Sequence, residues 1–320
     1  MVVDSFLILL GLAVLLVGGD LLVRGAVGLA TAMRIPPLLV SLTIIAFGTS
    51  APELVVSVTS VLEHEAGIAI GNIIGSNIAN VLLVLGLPAI IYPMSAHVDG
   101  LRRHGVAMLV ATSAFVAIAY GDGALDRTTG TFLFAGIILY VVFLAFMARG
   151  TRGRDPVIDE VAEYAEGAKR NVGATLIYVL AGLIGLPVGA HLLVSSGSSL
   201  AAELGVRPEF IGLTIVAFGT SLPELATVVA AAIHKKSDVA IGNVVGSNIF
   251  NIFAVGGAAG LAGVAEFTPP SLTLDIPVMV GAALILAAFI FLKRDIGRLA
   301  GLLMVALYCV FIAALAGAFG

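Results

Sequence analysis

The sequence has no tryptophan and one cysteine, Cys309, in 320 residues. A lone thiol excludes an internal disulfide and any cysteine-based metal cluster. Within its apolar run, Cys309 reads as a small core- or lipid-facing residue. Charge is also scarce: Asp, Glu, Lys and Arg make up 11% of the chain, against about 25% in soluble domains. With a net charge of −4 and no basic tract, nucleic acid is not an expected partner. What is abundant is apolar: 60% of residues, with a mean hydropathy of +1.14. The length would suit two soluble domains, but the composition specifies a polytopic membrane protein. The opening MVVDSF puts no basic stretch before its apolar run, and that run is too long for a cleavable signal, so it reads as a first span.

Crossing the hydrocarbon takes about 20 apolar residues. Apolar runs between polar or Gly/Pro breaks predict spans near 5–30, 36–62, 67–92, 105–121 and 129–148. Five more are predicted near 171–200, 208–233, 239–263, 275–292 and 298–318. The chain thus divides into a first five-helix repeat over 1–149, a cytoplasmic linker over 150–170 and a second repeat over 171–320. With the N-terminus outside, fourteen of the sixteen Lys and Arg residues face the cytoplasm; only Arg127 and Arg207 do not. That is a positive-inside signature of a multi-pass protein of the cell membrane. Five spans per half turns the second repeat upside down relative to the first, the arrangement of secondary transporters. Asp155, Asp159, Glu160, Glu163 and Glu166 in the linker match no EF-hand spacing and read as a solvated segment.

The two halves say one phrase twice. LTIIAFGTSAPEL (42–54) with AIGNIIGSNIAN (69–80) returns as LTIVAFGTSLPEL (213–225) with AIGNVVGSNIFN (240–251). The offset is 171 residues without a gap, and 21 of the 39 positions from Leu42 to Asn80 are identical to their counterparts. Glu53 and Glu224 fall mid-span, where an ionised group costs about 2.5–3.5 kcal/mol or more to insert and is functional by default. Thr49, Glu53 and Ser57, spaced by four, share one helical face. Pro52 and Pro223 lack an amide hydrogen, which is expected to leave carbonyls in Ala46–Thr49 and Ala217–Thr220 short of partners. Carbonyls, hydroxyls and a carboxylate make an all-oxygen site suited to a hard cation such as Ca²⁺. On the next span Asn72, Ser76 and Asn80, mirrored by Asn243, Ser247 and Asn251, form a polar stripe. Gly71 and Gly75, mirrored by Gly242 and Gly246, are expected to let helices approach closely. Asn72, Asn77 and their mirrors Asn243 and Asn248 read as interhelical glue; Ser76, Asn80, Ser247 and Asn251 read as ligands. Asp20 and Arg24 read as a local i,i+4 pair, with His191 at the mirror of Asp20. His64, His97, His104 and His234 are expected in loops.

GTSAPE with GNIIGSNIAN, and GTSLPE with GNVVGSNIFN, resemble the paired repeats of the calcium/cation antiporter superfamily, and most nearly its prokaryotic sodium/calcium exchangers. The resemblance covers essentially the whole chain. It implies an all-α fold of ten transmembrane helices in two inverted repeats with broken helices at the midplane. It also implies a central Ca²⁺ shared by Glu53 and Glu224, with the carbonyls of Thr49 and Thr220. One sodium site would use the Ala46 carbonyl, Thr49, Ser50, Ser76 and Glu224. Its mirror would use the Ala217 carbonyl, Thr220, Ser221, Ser247 and Glu53, with Asn80 and Asn251 flanking the centre. Several relatives carry Asp where this chain has Asn251, so the centre here holds two formal negative charges; this argues against potassium co-transport.

The reading is therefore a Na⁺/Ca²⁺ antiporter. Its substrates are Ca²⁺ and Na⁺, its surroundings the bilayer; no cofactor is expected, and a monomer is. The alternatives are an H⁺/Ca²⁺ antiporter of the same fold and a cation channel. An intramembrane enzyme is excluded, since no Ser/His or metal-ligand constellation accompanies the glutamates.

Overall fold

The computed structural model describes residues 2–33, 37–150, 172–203 and 219–318. The architecture is all-helical: α1 (Val2–Met33), α2 (Ser41–Thr49), α3 (Ala51–Leu62), α4 (Ala66–Ile91), α5 (Leu101–Gly121), α6 (Arg127–Gly150), α7 (Val172–Glu203), α8 (Leu222–Ile233), α9 (Ser237–Ala262), α10 (Ser271–Leu292) and α11 (Arg298–Ala318). Among the described residues eight helices are long and apolar enough to span a bilayer, and α2 with α3 makes a ninth, bent by 46°. The predicted span over 208–233 is represented by α8, since 204–218 lie outside the described residues; so do residues 151–170 of the linker predicted over 150–170, whose first residue, Gly150, ends α6.

The motif-bearing helices form the middle of the bundle. The spanning stretch of α9 is entirely buried and that of α4 is 78% buried, against 17% for α11. Both α4 and α9 are apolar on nearly every side, as central helices must be. The outer helices turn large apolar residues outward, among them Leu139 and Phe146 on α6 and Leu299 and Val310 on α11. Surface of that kind suits lipid rather than water. Cys309, on α11, is exposed on this outer shell.

The 171-residue offset is visible in tertiary contacts as well as in sequence. Helices α1 and α7 cross backbone to backbone: a Cβ on Gly11 would lie 2.8 Å from the Gly189 carbonyl oxygen, and one on Gly182 would lie 2.9 Å from that of Gly18. Adding 171 to Gly11 gives Gly182, and subtracting it from Gly189 gives Gly18. Only glycine permits an approach this close. The loops repeat the relation. Strand β1 (Ala124–Leu125) pairs antiparallel with β2 (Ala265–Glu266), bringing Leu125 opposite Ala265. The same offset carries that pair onto Ile296 and Met94, which form an antiparallel bridge with amide–carbonyl bonds of 3.0 and 2.8 Å.

Candidate functional site

Each glutamate sits on a helix that begins at a break. Ser50 (φ −84°, ψ 5°) ends α2 and starts α3, with Pro52 in the first turn of α3. Ser221 (φ −84°, ψ 2°) starts α8 in the same way, with Pro223 in its first turn. Proline there costs no hydrogen bond within the new helix, but it denies one to the preceding turn. Glu53 and Glu224 therefore both project from the first turn after a break, and they are 1% and 0% exposed. The expected loss of partners does not extend to every carbonyl in the stretch. The Ala46 carbonyl accepts the Ser50 amide at 3.0 Å and the Thr49 hydroxyl at 3.4 Å. Proline removes only the amide of residue 52, and the Ser50 amide still reaches back.

The facing helices widen at the same level. In α4 a π-helical turn runs Asn80–Leu85, and in α9 another runs Asn251–Val255. Each starts on the last polar residue of its Asn–Ser–Asn stripe, as such bulges often do at functional sites.

The two repeats meet directly. Ser50 Oγ donates to Glu224 Oε1 at 3.1 Å, and the Glu53 and Glu224 carboxylates lie within electrostatic reach of one another. Around them, buried polar atoms have no partner among the described residues: both carboxylate oxygens of Glu53, Oε2 of Glu224, the hydroxyls of Ser76, Ser221 and Ser247, Oδ1 of Asn80, and both amide atoms of Asn251. Buried polar groups are nearly always hydrogen-bonded, since stranding one costs about 1–3 kcal/mol. Among the described residues all of the stranded atoms but two, His104 Nε2 and Asp275 Oδ1, belong to residues of the repeated motif. Thr49 is buried beside them and Thr220 half-buried; Ala217 lies outside the described residues.

The asparagines split by role. Asn72 Nδ2 donates to the Glu53 carbonyl at 3.1 Å and to Ser57 Oγ at 2.9 Å, while its Oδ1 accepts the Thr220 hydroxyl at 3.4 Å. It ties α4 to α3, as expected of glue. Asn77 folds back onto the Ile73 carbonyl at 2.8 Å, and its own carbonyl accepts Asn248 at 3.4 Å. Asn80 Nδ2 donates to Asn248 Oδ1 at 3.1 Å, a cross-repeat bond that sequence reasoning missed. Asn243, the mirror of Asn72, does not act as the expected glue: both its amide atoms are buried with no partner among the described residues. Ser57 has Val228 as its mirror, so the hydroxyl that Asn72 uses is missing beside Asn243.

One other expectation is corrected. His104 is in α5 rather than in a loop; it is fully buried, with Nδ1 3.2 Å from the Tyr140 hydroxyl. Helix α5 already starts at Leu101, so its polar opening LRRH is helical rather than loop. The glycine face is crowded at Gly246, whose Cβ would lie 2.7 Å from Ala46 Cβ and 3.1 Å from Leu42 Cα. No described residue comes within 4 Å of a Cβ at Gly71 or Gly75. Ser247 is the residue that follows Gly246 on α9, the helix that packs here against Leu42 and Ala46.

A helical membrane bundle that encloses two carboxylates among unpaired hydroxyl and amide oxygens is built as a cation transporter, not as an enzyme. The sodium/calcium exchanger protein family is matched over residues 4–148 and 174–317. The chain belongs to that family. It is 35% identical to the inner membrane protein YrbG of Escherichia coli (strain K12), over 98% of this chain and 97% of that one. It is 32% identical to the sodium/calcium exchanger MaX1 of Methanosarcina acetivorans, over 98% of each. Its fold is similar to that of the sodium-calcium exchanger NCX_Mj, solved after soaking with Na⁺ and Sr²⁺. The TM-score there is 0.84, with 32% identity over 98% of each chain.

Proposed function

We propose that the protein is a secondary antiporter that exchanges Na⁺ for Ca²⁺ across the cell membrane by alternating access. The observation that carries this reading is the coincidence of the stranded buried oxygens with the residues of the repeated motif. A doubly acidic, all-oxygen cluster asks for hard cations. One Ca²⁺ or two Na⁺ neutralise Glu53 and Glu224 equally well, whereas a vacant site leaves two buried charges. If only the neutralised site permits the switch between sides, exchange is obligatory and leak is suppressed.

In this reading Glu53 and Glu224 share the central Ca²⁺, with the Thr49 and Thr220 carbonyls, and Asn80 and Asn251 flank it. The packing at Gly246 supports a different division of the serines from the one that the resemblance implies. Ser247 joins the Ala46 carbonyl, Thr49, Ser50 and Glu224. Ser76 joins Thr220, Ser221 and Glu53, together with the Ala217 carbonyl. The two repeats run in opposite directions through the membrane, with the N-terminus outside and the linker cytoplasmic, as the basic residues indicate. The relatives MaX1 and NCX_Mj, both named sodium/calcium exchangers, agree with this choice of ions.

The test is Ca²⁺ uptake into proteoliposomes under an outward Na⁺ gradient and, separately, a pH gradient at matched voltage, with Glu53→Gln as the blank. Sodium-driven uptake that is silent in the variant is expected. Proton-driven uptake indifferent to Na⁺ would replace Na⁺ with H⁺ as the coupling ion. Linear flux that never saturates would mark a channel.

A further inference from the structure

Outside the ion cluster, the least ordinary side-chain contact joins α1 to the far end of α8. Asp20 Oδ1 accepts from His234 Nε2, and Asp20 Oδ2 accepts from Arg24 Nε at 2.8 Å. His234 closes α8. The sequence suggested only the pair with Arg24; the bond to His234 spans 214 residues. Under the 171-residue offset, Asp20 becomes His191 on α7 and His234 becomes Glu63, which closes α3. An acid–imidazole pair thus maps onto an imidazole–acid pair, with the two roles exchanged. The chain has five histidines and 20 acidic residues among 320, so composition alone does not lead one to expect such a match.

The two pairs are in different states. Glu63 and His191 are both exposed and are not bonded to one another. The helix faces beneath them differ in the same sense. A Cβ at Gly19, next to Asp20, would lie 2.7 Å from the Ala226 carbonyl oxygen, so α1 is seated on α8 and Ala226 is 6% exposed. Val55, the mirror of Ala226 on α3, is 58% exposed. One seat is filled and latched, and its mirror is open.

We propose that Asp20–His234 and Glu63–His191 are mirror-related latches made in opposite access states, and that their inequality biases the resting side. The proposal rests on alternating access. An inverted-repeat carrier that moves its site from one side to the other exchanges the conformations of its halves. The contact seen on one half is then made by the other half in the opposite state. The hydrogen bond forms with a neutral imidazole as well as a charged one, because Nε2–H is the donor in either case. Inequality comes from the third member. Arg24 adds a charged donor to Asp20, whereas its mirror Ser195 turns its hydroxyl to the Leu192 carbonyl. The first latch is therefore the stronger, and the state it holds is the one seen here.

The test uses full-length protein in nanodiscs, in a Cys309→Ser background with spin labels at exposed Leu16 and Ile233. The ratio of short to long α1–α8 distances reports the two states without requiring ion transport. It therefore stands or falls separately from the identity of the ions. Asp20→Asn is expected to lower that ratio by about threefold to tenfold, and Glu63→Gln to raise it by a similar factor. The double variant is expected to return towards the wild-type ratio. Both substitutions keep side-chain shape, and an unchanged melting curve establishes that each variant is folded. Shifts in the same direction, or no shift from either substitution, overturn the proposal.

Discussion

The two repeats carry the same motif residues and treat them differently. Both begin a helix at a serine with φ of −84°, both place a proline and then a glutamate in its first turn, and both widen the partner helix at an asparagine. Yet Asn72 makes bonds to the Glu53 carbonyl, Ser57 and Thr220, while Asn243 is buried with none among the described residues. Asn80 is tethered to Asn248, while both amide atoms of Asn251 are unpaired. What the repeats share therefore sets the chemistry, two carboxylates in an oxygen cage. What they do not share is the bonding around that cage, in part because Ser57 has Val228 as its mirror.

The comparison breaks first at the glutamates. Glu53→Gln and Glu224→Gln should each reduce Na⁺-driven Ca²⁺ flux to the level of empty liposomes, because either change leaves a single charge against a divalent ion. Wild-type-like flux in both would sink the two-carboxylate account. The serines sharpen the comparison at smaller scale. Loss of one liganding hydroxyl is worth about 1–2 kcal/mol, or roughly five- to thirtyfold in apparent Na⁺ affinity. If the Gly246 packing assigns the half-sites, Ser247→Ala should share its sodium dependence with Ser50→Ala, and Ser76→Ala with Ser221→Ala. The opposite pairing in flux titrations would restore the division that the family resemblance implies.

A smaller contrast separates the two stripe asparagines. Asn72→Ala removes three bonds and should cost about 1–3 kcal/mol, read as a lowered melting temperature. Asn243→Ala removes none and should cost distinctly less; equal losses would show that the two asparagines are equivalent after all. The least effect is expected at Asp126, which caps α6 through the amides of Thr128 (2.9 Å) and Thr129 (2.8 Å) and has Gly297 as its mirror. The amide of Thr129, then its hydroxyl, hold the Asp126 carboxyl below the usual carboxylate range. Its contribution is present above the unfolded carboxylate pKa of about 4 and is lost as pH falls through the lower folded value. Asp126→Ala should lower the melting temperature slightly at neutral pH, fade in effect towards acid and leave transport unchanged. A change in flux would show that α6 does more than hold the bundle.

Much of this was legible in the sequence because bilayers impose a simple grammar. Spans must be long and apolar, so their positions follow from composition, and a carboxylate in the middle of one stands out. The repeat located both glutamates, both serines after the break and both asparagine stripes. Packing was less legible. Nothing in GTSAPE says that the Ser50 amide still reaches the Ala46 carbonyl, and nothing in GNVVGSN says which motif Gly246 presses against. His104 was misplaced because its neighbours Arg102 and Arg103 look like loop, although the helix already starts at Leu101. The Asp20–His234 contact was invisible because its partners are 214 residues apart and belong to no motif.

The central claim is that one pair of carboxylates serves both ions. It is tested most directly by equilibrium Ca²⁺ binding to the purified protein at increasing Na⁺. The account predicts that Na⁺ displaces Ca²⁺ competitively, with a Hill coefficient for Na⁺ above one, and that Glu53→Gln and Glu224→Gln each abolish the Ca²⁺ signal. Calcium binding that Na⁺ leaves untouched, or that survives in both variants, would contradict it.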